Sequence, residues 1–224
     1  MQPYLVYGLT STLGAMGELA GHERRGALGW PARSALLGMM GAALGIRRDG
    51  DFTVLDDLFL AVAVFEEGSP LRDYHTVETV PTTAVKKPNS RPEALRCANG
   101  GTNTTITLRD YRVGSFYGIA VWGGELAELS QALSQPQFTL YFGRKSCPLA
   151  APLGAKVVSE KTPEAALEQL ILPPWHQGAQ ARVLIETAEL GEEIHDLPVD
   201  RRHWHYGSRK VMRRAVSIAP KGMS

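Results

Sequence analysis

The chain has 224 residues, of which 44% are hydrophobic and 21% charged, with a formal net charge of +1. That balance excludes a disordered chain, a collagen-like repeat and a disulfide scaffold, and the length suffices to bury a core without a metal or disulfide staple. The near-neutral total hides an asymmetry. From Arg201 to Ser224 there are seven basic residues and no acidic one, so all 23 acidic residues lie before that segment. Such a division points to a polyanion or an acidic partner surface at one end of the molecule.

In chain order, Tyr4-Leu5-Val6-Tyr7 predicts a first strand, and the glycine-rich stretch from Gly8 to Gly29 reads as a long loop. Pro31 suits a first helical position, and Ala32 to Leu44 predicts a helix closed by Gly45. Leu36, Leu37, Met40 and Leu44 share one face of it, while Gly38, Gly41, Ala42 and Ala43 leave another face thin. Val54 to Leu58 reads as a helical turn and Leu60 to Phe65 as a buried strand. Thr76 to Thr107 is crowded with Thr, Asn and Pro and reads as a structureless excursion, a feature that in a compact domain is usually functional. Leu71-Arg72-Asp73-Tyr74 enters it and Leu108-Arg109-Asp110-Tyr111 leaves it, which suggests a long antiparallel arm pinned at its base; chance similarity is the alternative.

Ser115 to Trp122 then predicts a strand, Glu125 to Leu133 an amphipathic helix stopped by Pro136, and Phe138 to Phe142 a last short strand. The expected class is α+β: a ferredoxin-like or RRM-like βαββαβ domain over residues 1–150, with the arm inserted at about 74–111. Residues 151–224 form a smaller, β-rich part. It holds a helix near Pro163–Leu170, a strand at Arg182–Thr187 and a basic terminal strand or hairpin at Trp204–Ile218. Cys97 and Cys147 read as two reduced thiols, and the most apolar stretch, Leu36 to Ile46, is about half the length of a membrane span. A cytoplasmic protein without membrane contact is expected.

Several motifs bear on chemistry. Gly143-Arg144-Lys145-Ser146 lacks the second glycine and the Gly-Lys pair of a nucleotide-hydrolysing loop, yet suits phosphate contacts; an ordinary solvated turn is the alternative. Arg33 and Ser34 lie in the first turn of the predicted helix, where unpaired N–H groups favour anions. An arginine at that positive end is explained if a phosphate joins both, or if the side chain simply points to solvent. Trp204 and Arg209, within a basic and aromatic segment, suit base stacking beside phosphate contacts. His203 and His205 bring no third ligand at a familiar spacing, so no metal site is expected, and no cofactor. Tyr74, His75 and Lys86 are the candidate acid–base set for RNA cleavage, structural roles at the arm base being the alternative.

Four stretches together resemble a known family. They are Trp30-Pro31-Ala32-Arg33-Ser34-Ala35-Leu36-Leu37-Gly38 with Gly41-Ala42-Ala43-Leu44-Gly45-Ile46, then Leu71 to Val77, then Leu108 to Tyr111, then Tyr141 to Leu149. In that order they are similar to the CasD family, the type I-E CRISPR Cascade subunits that cap the 5′ handle of the guide RNA (crRNA). The resemblance spans about residues 3 to 153. It implies an RRM-like fold with a protruding thumb, and RNA contacts at Arg33, Ser34, Arg109, Arg144, Lys145, Ser146, Trp204 and Arg209. It also implies a non-catalytic place in an antiviral surveillance complex, beside the backbone and large subunits, with target DNA met only through the assembled complex. The alternative is a metal-independent endoribonuclease that processes precursor crRNA through Tyr74, His75 or Lys86.

Overall fold

The computed structural model describes residues 1–221 apart from 16, 19–22, 202 and 204. Strands β1 (Gln2–Gly14), β3 (Phe59–Glu66), β5 (Asn103–Trp122), β6 (Lys156–Glu160), β7 (Ala181–Asp200) and β8 (His205–Ile218) run in the order β6-β1-β5-β3-β7-β8. Every neighbouring pair along that path is antiparallel. Two further strands, β2 (Arg24–Arg25) and β4 (Ser69–Thr79), pair with β5 and complete an eight-stranded α+β sheet.

Helices α1 (Arg33–Ala43), α2 (Thr53–Asp56) and α4 (Leu126–Ser134) lie on one side of the sheet. Leu36, Leu37 and Met40 of α1 and Leu126, Leu129 and Leu133 of α4 pack there on Leu5, Tyr7, Tyr117 and Ile119. The thin face of α1 has a use: a Cβ on Gly41 would stand 2.4 Å from the Phe52 ring, so only glycine lets that ring close on the helix. Helix α5 (Pro163–Leu167) covers the opposite side, with Leu167 and Leu170 against Ala61, Ala63 and Ala120.

Three expectations change. The presumed loop from Gly8 is strand as far as Gly14, because Gly8 to Gly14 pair with β5 and sit largely buried. Phe138 to Phe142 is no strand. The amides of Gln137 and Phe138 donate instead to Ala43 O and Ala42 O at 3.0 and 3.1 Å, so this segment caps the carbonyl end of α1. The sheet edge falls to Lys156–Glu160, and the chain does not separate at residue 150: β6, α5 and β7 all pack or pair with strands from the first 150 residues.

The excursion is ordered as an arm. Strand β4 pairs with the first half of β5 from Ser69–Val113 to Thr79–Asn103. The two Leu-Arg-Asp-Tyr strings face each other in register, Leu71 on Tyr111, Arg72 on Asp110, Asp73 on Arg109 and Tyr74 on Leu108. The arm is therefore pinned as its repeated string predicts, although it is not structureless. Helix α3 (Arg91–Ala98) closes the tip, with the N-cap Ser90 hydroxyl accepting from Glu93 N and the Glu93 carboxylate reaching back to accept from Asn89 N, just before the cap.

Four arginines of the basic tail are paired with acids, while Lys210 and Lys221 are exposed and enter no ion pair among the described residues. On β8, Arg209 pairs with Asp196, Arg213 with Glu192, and Arg214 with Glu164 and Glu186; Arg201 pairs with Asp56. Asp196 is 3% exposed and accepts from Arg209 Nε and Nη2 at 2.6 and 2.8 Å, and from the Arg33 backbone N–H at 2.6 Å. Removing one partner of such a buried pair leaves the other charge uncompensated, so Asp196→Ala is expected to cost about 3–5 kcal/mol of stability. Urea unfolding of the full chain measures this, and Asp196→Leu combined with Arg209→Met should lose less than Asp196→Ala alone.

Candidate nucleic-acid interface

Residues of the GRKSCP block form a tight turn against the end of β1. Phe142 N donates to Cys147 O at 2.7 Å, Cys147 N to Arg144 O at 2.8 Å, and Ala15 N to Phe142 O at 3.1 Å. Gly143 sits at φ +83°, and a Cβ there would stand 1.7 Å from Ala15 O, so the turn and its dock on β1 both require glycine. Cys147 is buried beneath the turn, and that burial raises its thiol pKa; Cys97 is exposed on α3.

The turn delivers Arg144 onto the arm base. Its guanidinium carbon lies 4.5 Å from the centre of the Tyr111 ring. Arg144 Nη1 is buried and has no hydrogen-bond acceptor among the described residues. A guanidinium N–H left in that condition costs about 1–3 kcal/mol, which an anionic oxygen would relieve. Lys145 and Ser146 are exposed at the crest of the turn. Arg109, two residues before Tyr111 on β5, projects to the same side as Tyr111, and Arg25 is its register partner on β2. Arg144 thus lies over the Tyr111 ring, Lys145 is exposed next to it in the turn, and Arg109 and Arg25 share the ring's side of the arm base.

The opposite face of the arm base holds an ion triad. Asp110 accepts from Arg72 Nε at 2.8 Å and meets Arg24 Nη2 at 2.6 Å. The Arg72 hydrogen bond is the main cause that holds the Asp110 carboxyl below the usual carboxylate range, against the upward pull of its partial burial, with Arg24 adding to it. Arg24 and Arg25 escaped sequence reading because they lie in the presumed loop. Arg72 could have been found from the duplicated string, which sets it opposite Asp110 when the two strings align in antiparallel register.

Other expected contacts lie elsewhere. Arg33 is buried, its Nη1 donating to Leu58 O at 2.8 Å and Nη2 to Asp56 O at 2.6 Å. Burial, and next the nearby Arg209 charge, lower its pKa. An anion does occupy the positive end of α1, as the arginine there suggested, but it is the Asp196 carboxylate and not a phosphate. Arg209 is committed to Asp196 and to Thr187 Oγ1, and is likewise unavailable to RNA phosphates. Ser34 is half-buried in the first turn of α1, and Trp204 lies outside the described residues.

Tyr74 and His75 are adjacent on β4 and project to opposite faces. Tyr74 is 69% exposed, the His75 Nδ1 lies 3.5 Å from Asp73 Oδ2, and Lys86 belongs to the arm tip beyond the end of β4. These three groups are not brought together. His203 Nδ1 lies 2.7 Å from Asp200, and no group of three or more metal-ligating side chains occurs among the described residues. No helix there is long and apolar enough to cross a membrane.

Comparison with solved structures shows the same fold, an antiparallel sheet with helices. The chain is similar to a chain titled "CRISPR RNA-guided surveillance complex", with TM-score 0.75 and 22% identity over 96% of this chain and 91% of that one. It is also similar to one titled "Crystal structure of Cas protein", with TM-score 0.68 and 23% identity over 98% of both. Among curated proteins it is 30% identical over 189 residues to the CRISPR system Cascade subunit CasD of Escherichia coli (strain K12), covering 75% of this chain and 76% of that protein. The family described as CRISPR-associated protein (Cas_Cas5) matches residues 4–212. The chain belongs to the CRISPR-associated Cas5 family.

Two outcomes test the arm base. A group whose pKa is depressed by folding contributes stability that is present above its unfolded value, about 4 for a carboxylate, and is lost as pH falls through the folded value. Amide exchange at the β4–β5 base should therefore be flat from pH 5 to 8 once corrected for intrinsic rates, and rise below about pH 4, with Asp110→Asn abolishing that step. The effect should be small, since Arg24 and Arg72 are largely exposed. Gly143→Ala should unseat the turn from β1, seen as proteolytic cleavage near residue 143 that the wild type resists.

Proposed function

We propose that this chain is a non-catalytic, RNA-binding subunit of a type I-E CRISPR Cascade surveillance complex, gripping the 5′ handle of the crRNA at the base of its arm. In this reading it works in the cytoplasm in antiviral defence, contacts the backbone and large subunits, and meets target DNA only through the assembled complex. The observation that carries the RNA contact is Arg144, 4.5 Å over the Tyr111 ring with a buried Nη1 that has no acceptor among the described residues, and Lys145 exposed next to it in the turn. A guanidinium held in place by the buried Tyr111 ring, with an exposed ammonium next to it, suits phosphate contacts. The E. coli relative is named as a Cascade subunit, which supports the place in a complex.

An RRM-like reading of the core draws support from the series β1, α1, β3, β5, α4, β6 and its strand order β6-β1-β5-β3. The absence of cutting is supported by the separation of Tyr74, His75 and Lys86, because acid–base catalysis needs both groups at one scissile phosphate.

Lys145→Ala should weaken binding of handle-bearing RNA and reduce the slope of log affinity against log salt by about 0.7, the single-strand value for one lost phosphate contact, with an unchanged melting temperature. Arg144→Ala should weaken it further. An unchanged slope in both variants would overturn the contact. Repeat RNA incubated with the wild type should stay intact with and without EDTA; specific cleavage lost in His75→Ala or Tyr74→Phe would establish the endoribonuclease reading instead.

A further inference from the structure

Guanidinium groups in this fold are seated on rings. Arg201 lies 4.0 Å over Phe52, Arg213 4.2 Å over Trp30 and Arg144 4.5 Å over Tyr111. The first two are also met by carboxylates, Asp56 at 2.5 Å and Glu192 at 3.4 Å. An aromatic face with a neighbouring acid is this chain's recurrent way of holding an arginine.

The same composition recurs at the end of the sheet opposite the arm. Tyr4, Trp122 and Phe59 form a row across three adjacent strands, Tyr4 edge-on to Trp122 at 5.5 Å and Phe59 stacked on it at 5.7 Å and 14°. Burial falls along the row from Tyr4, 2% exposed, to Phe59, 58% exposed. The pairing of β3 with β7 stops at Ala61–Glu186, two residues short of the exposed Phe59. The Gly123–Gly124 turn runs against Phe59 and the Val54 carbonyl, and Val54 is 65% exposed. The two segments that meet there, Asp51–Phe59 and Trp122–Ser130, carry Asp51, Asp56, Asp57, Glu125 and Glu128 and no basic residue. Asp57 and Glu125 are exposed and enter no ion pair among the described residues.

We propose that the Phe59–Trp122 row is a docking surface for an arginine-bearing segment of a partner protein. The guanidinium lies over the exposed face of Phe59, where the ring quadrupole attracts it, and Asp57 and Glu125 meet its charge. The acidic rim repels a phosphate backbone, which separates this surface from the cradle at the arm base. The proposal rests on the subunit reading only in that a partner chain must exist to supply the arginine.

The test places p-benzoylphenylalanine at position 59 of the full chain in the complex purified from its host, followed by irradiation and mapping of the cross-linked peptide. A cross-link to a partner segment with arginine within a few residues of the attachment point is expected. A cross-link to RNA, to a second copy of this chain or to a segment without arginine overturns the proposal. So does an unreactive position 59 in an assembled complex. In parallel, Phe59→Ala should keep the melting temperature and the bound RNA while retaining roughly tenfold less of that partner at moderate salt; undiminished partner overturns the proposal. A wild-type chain that binds no RNA and joins no complex overturns the proposed function itself, and this surface with it.

Discussion

The carboxylate of Asp196 is the point at which the two ends of the chain become one structure. It is buried, and it is met by the guanidinium of Arg209 from β8 and by the first backbone N–H of α1. A helix N-terminus carries unpaired donors and partial positive charge, so a carboxylate there answers both. Arg33, held at the same end, reaches away to the carbonyls of Asp56 and Leu58, which fixes α2 and the start of β3 relative to α1. Arg201 adds a clamp on Asp56 and Phe52. Buried ion pairs owe little net stability to their Coulomb attraction, because desolvation opposes it. Their consequence here is positional: with one partner in place the other is costly to leave unpaired, so the β7–β8 hairpin has one low-energy seat across α1.

That network also explains where sequence reading succeeded and where it stopped. The apolar strands, α1, α2 and α4 were legible because their burial repeats at helical or strand period over a few residues. The arm base was legible because a duplicated string in antiparallel register sets Arg72 opposite Asp110 without further information. An anion at the start of α1 was legible from Arg33, but its identity was not, since Asp196 lies 163 residues away and only the fold joins them. The basic tail misled for the same reason. Arg209, Arg213 and Arg214 face the carboxylates of β7 and α5, Glu186, Glu192, Asp196 and Glu164, and a charge count along the chain cannot show cross-strand cancellation. Phe138 to Phe142 has strand composition, but its amides are drawn to the open carbonyls of α1.

Strand β5 converts this scaffold into a site. Its C-terminal half is central in the sheet and buried, while its N-terminal half is the inner rail of the arm. Tyr111 sits at the change, the last buried side chain before the ribbon becomes exposed on both faces. A cradle built around that ring inherits the position of the sheet, and the glycine-locked turn at Gly143 fixes Arg144 over it by a separate route from β1. Two rigid elements converging on one ring give a geometry that a mobile loop would not hold.

The location of the cradle follows from what covers the sheet. Helices α1, α2 and α4 occupy one side, as a βαββαβ core would place them, and in such a core the other side is the open one. Here α5 closes it. Gly118 makes room, since a Cβ there would stand 2.5 Å from Leu170, and the alanines at 61, 63 and 120 keep the strands flat enough for Leu167 and Leu170 to seat against them. With both broad faces consumed by packing, the cations held on the buried Tyr111 ring lie where the arm departs, and the exposed Phe59 with its acids lies at the far end. Opposite charge at the two ends means that they attract groups of opposite sign, so one small sheet presents two electrostatically distinct ends.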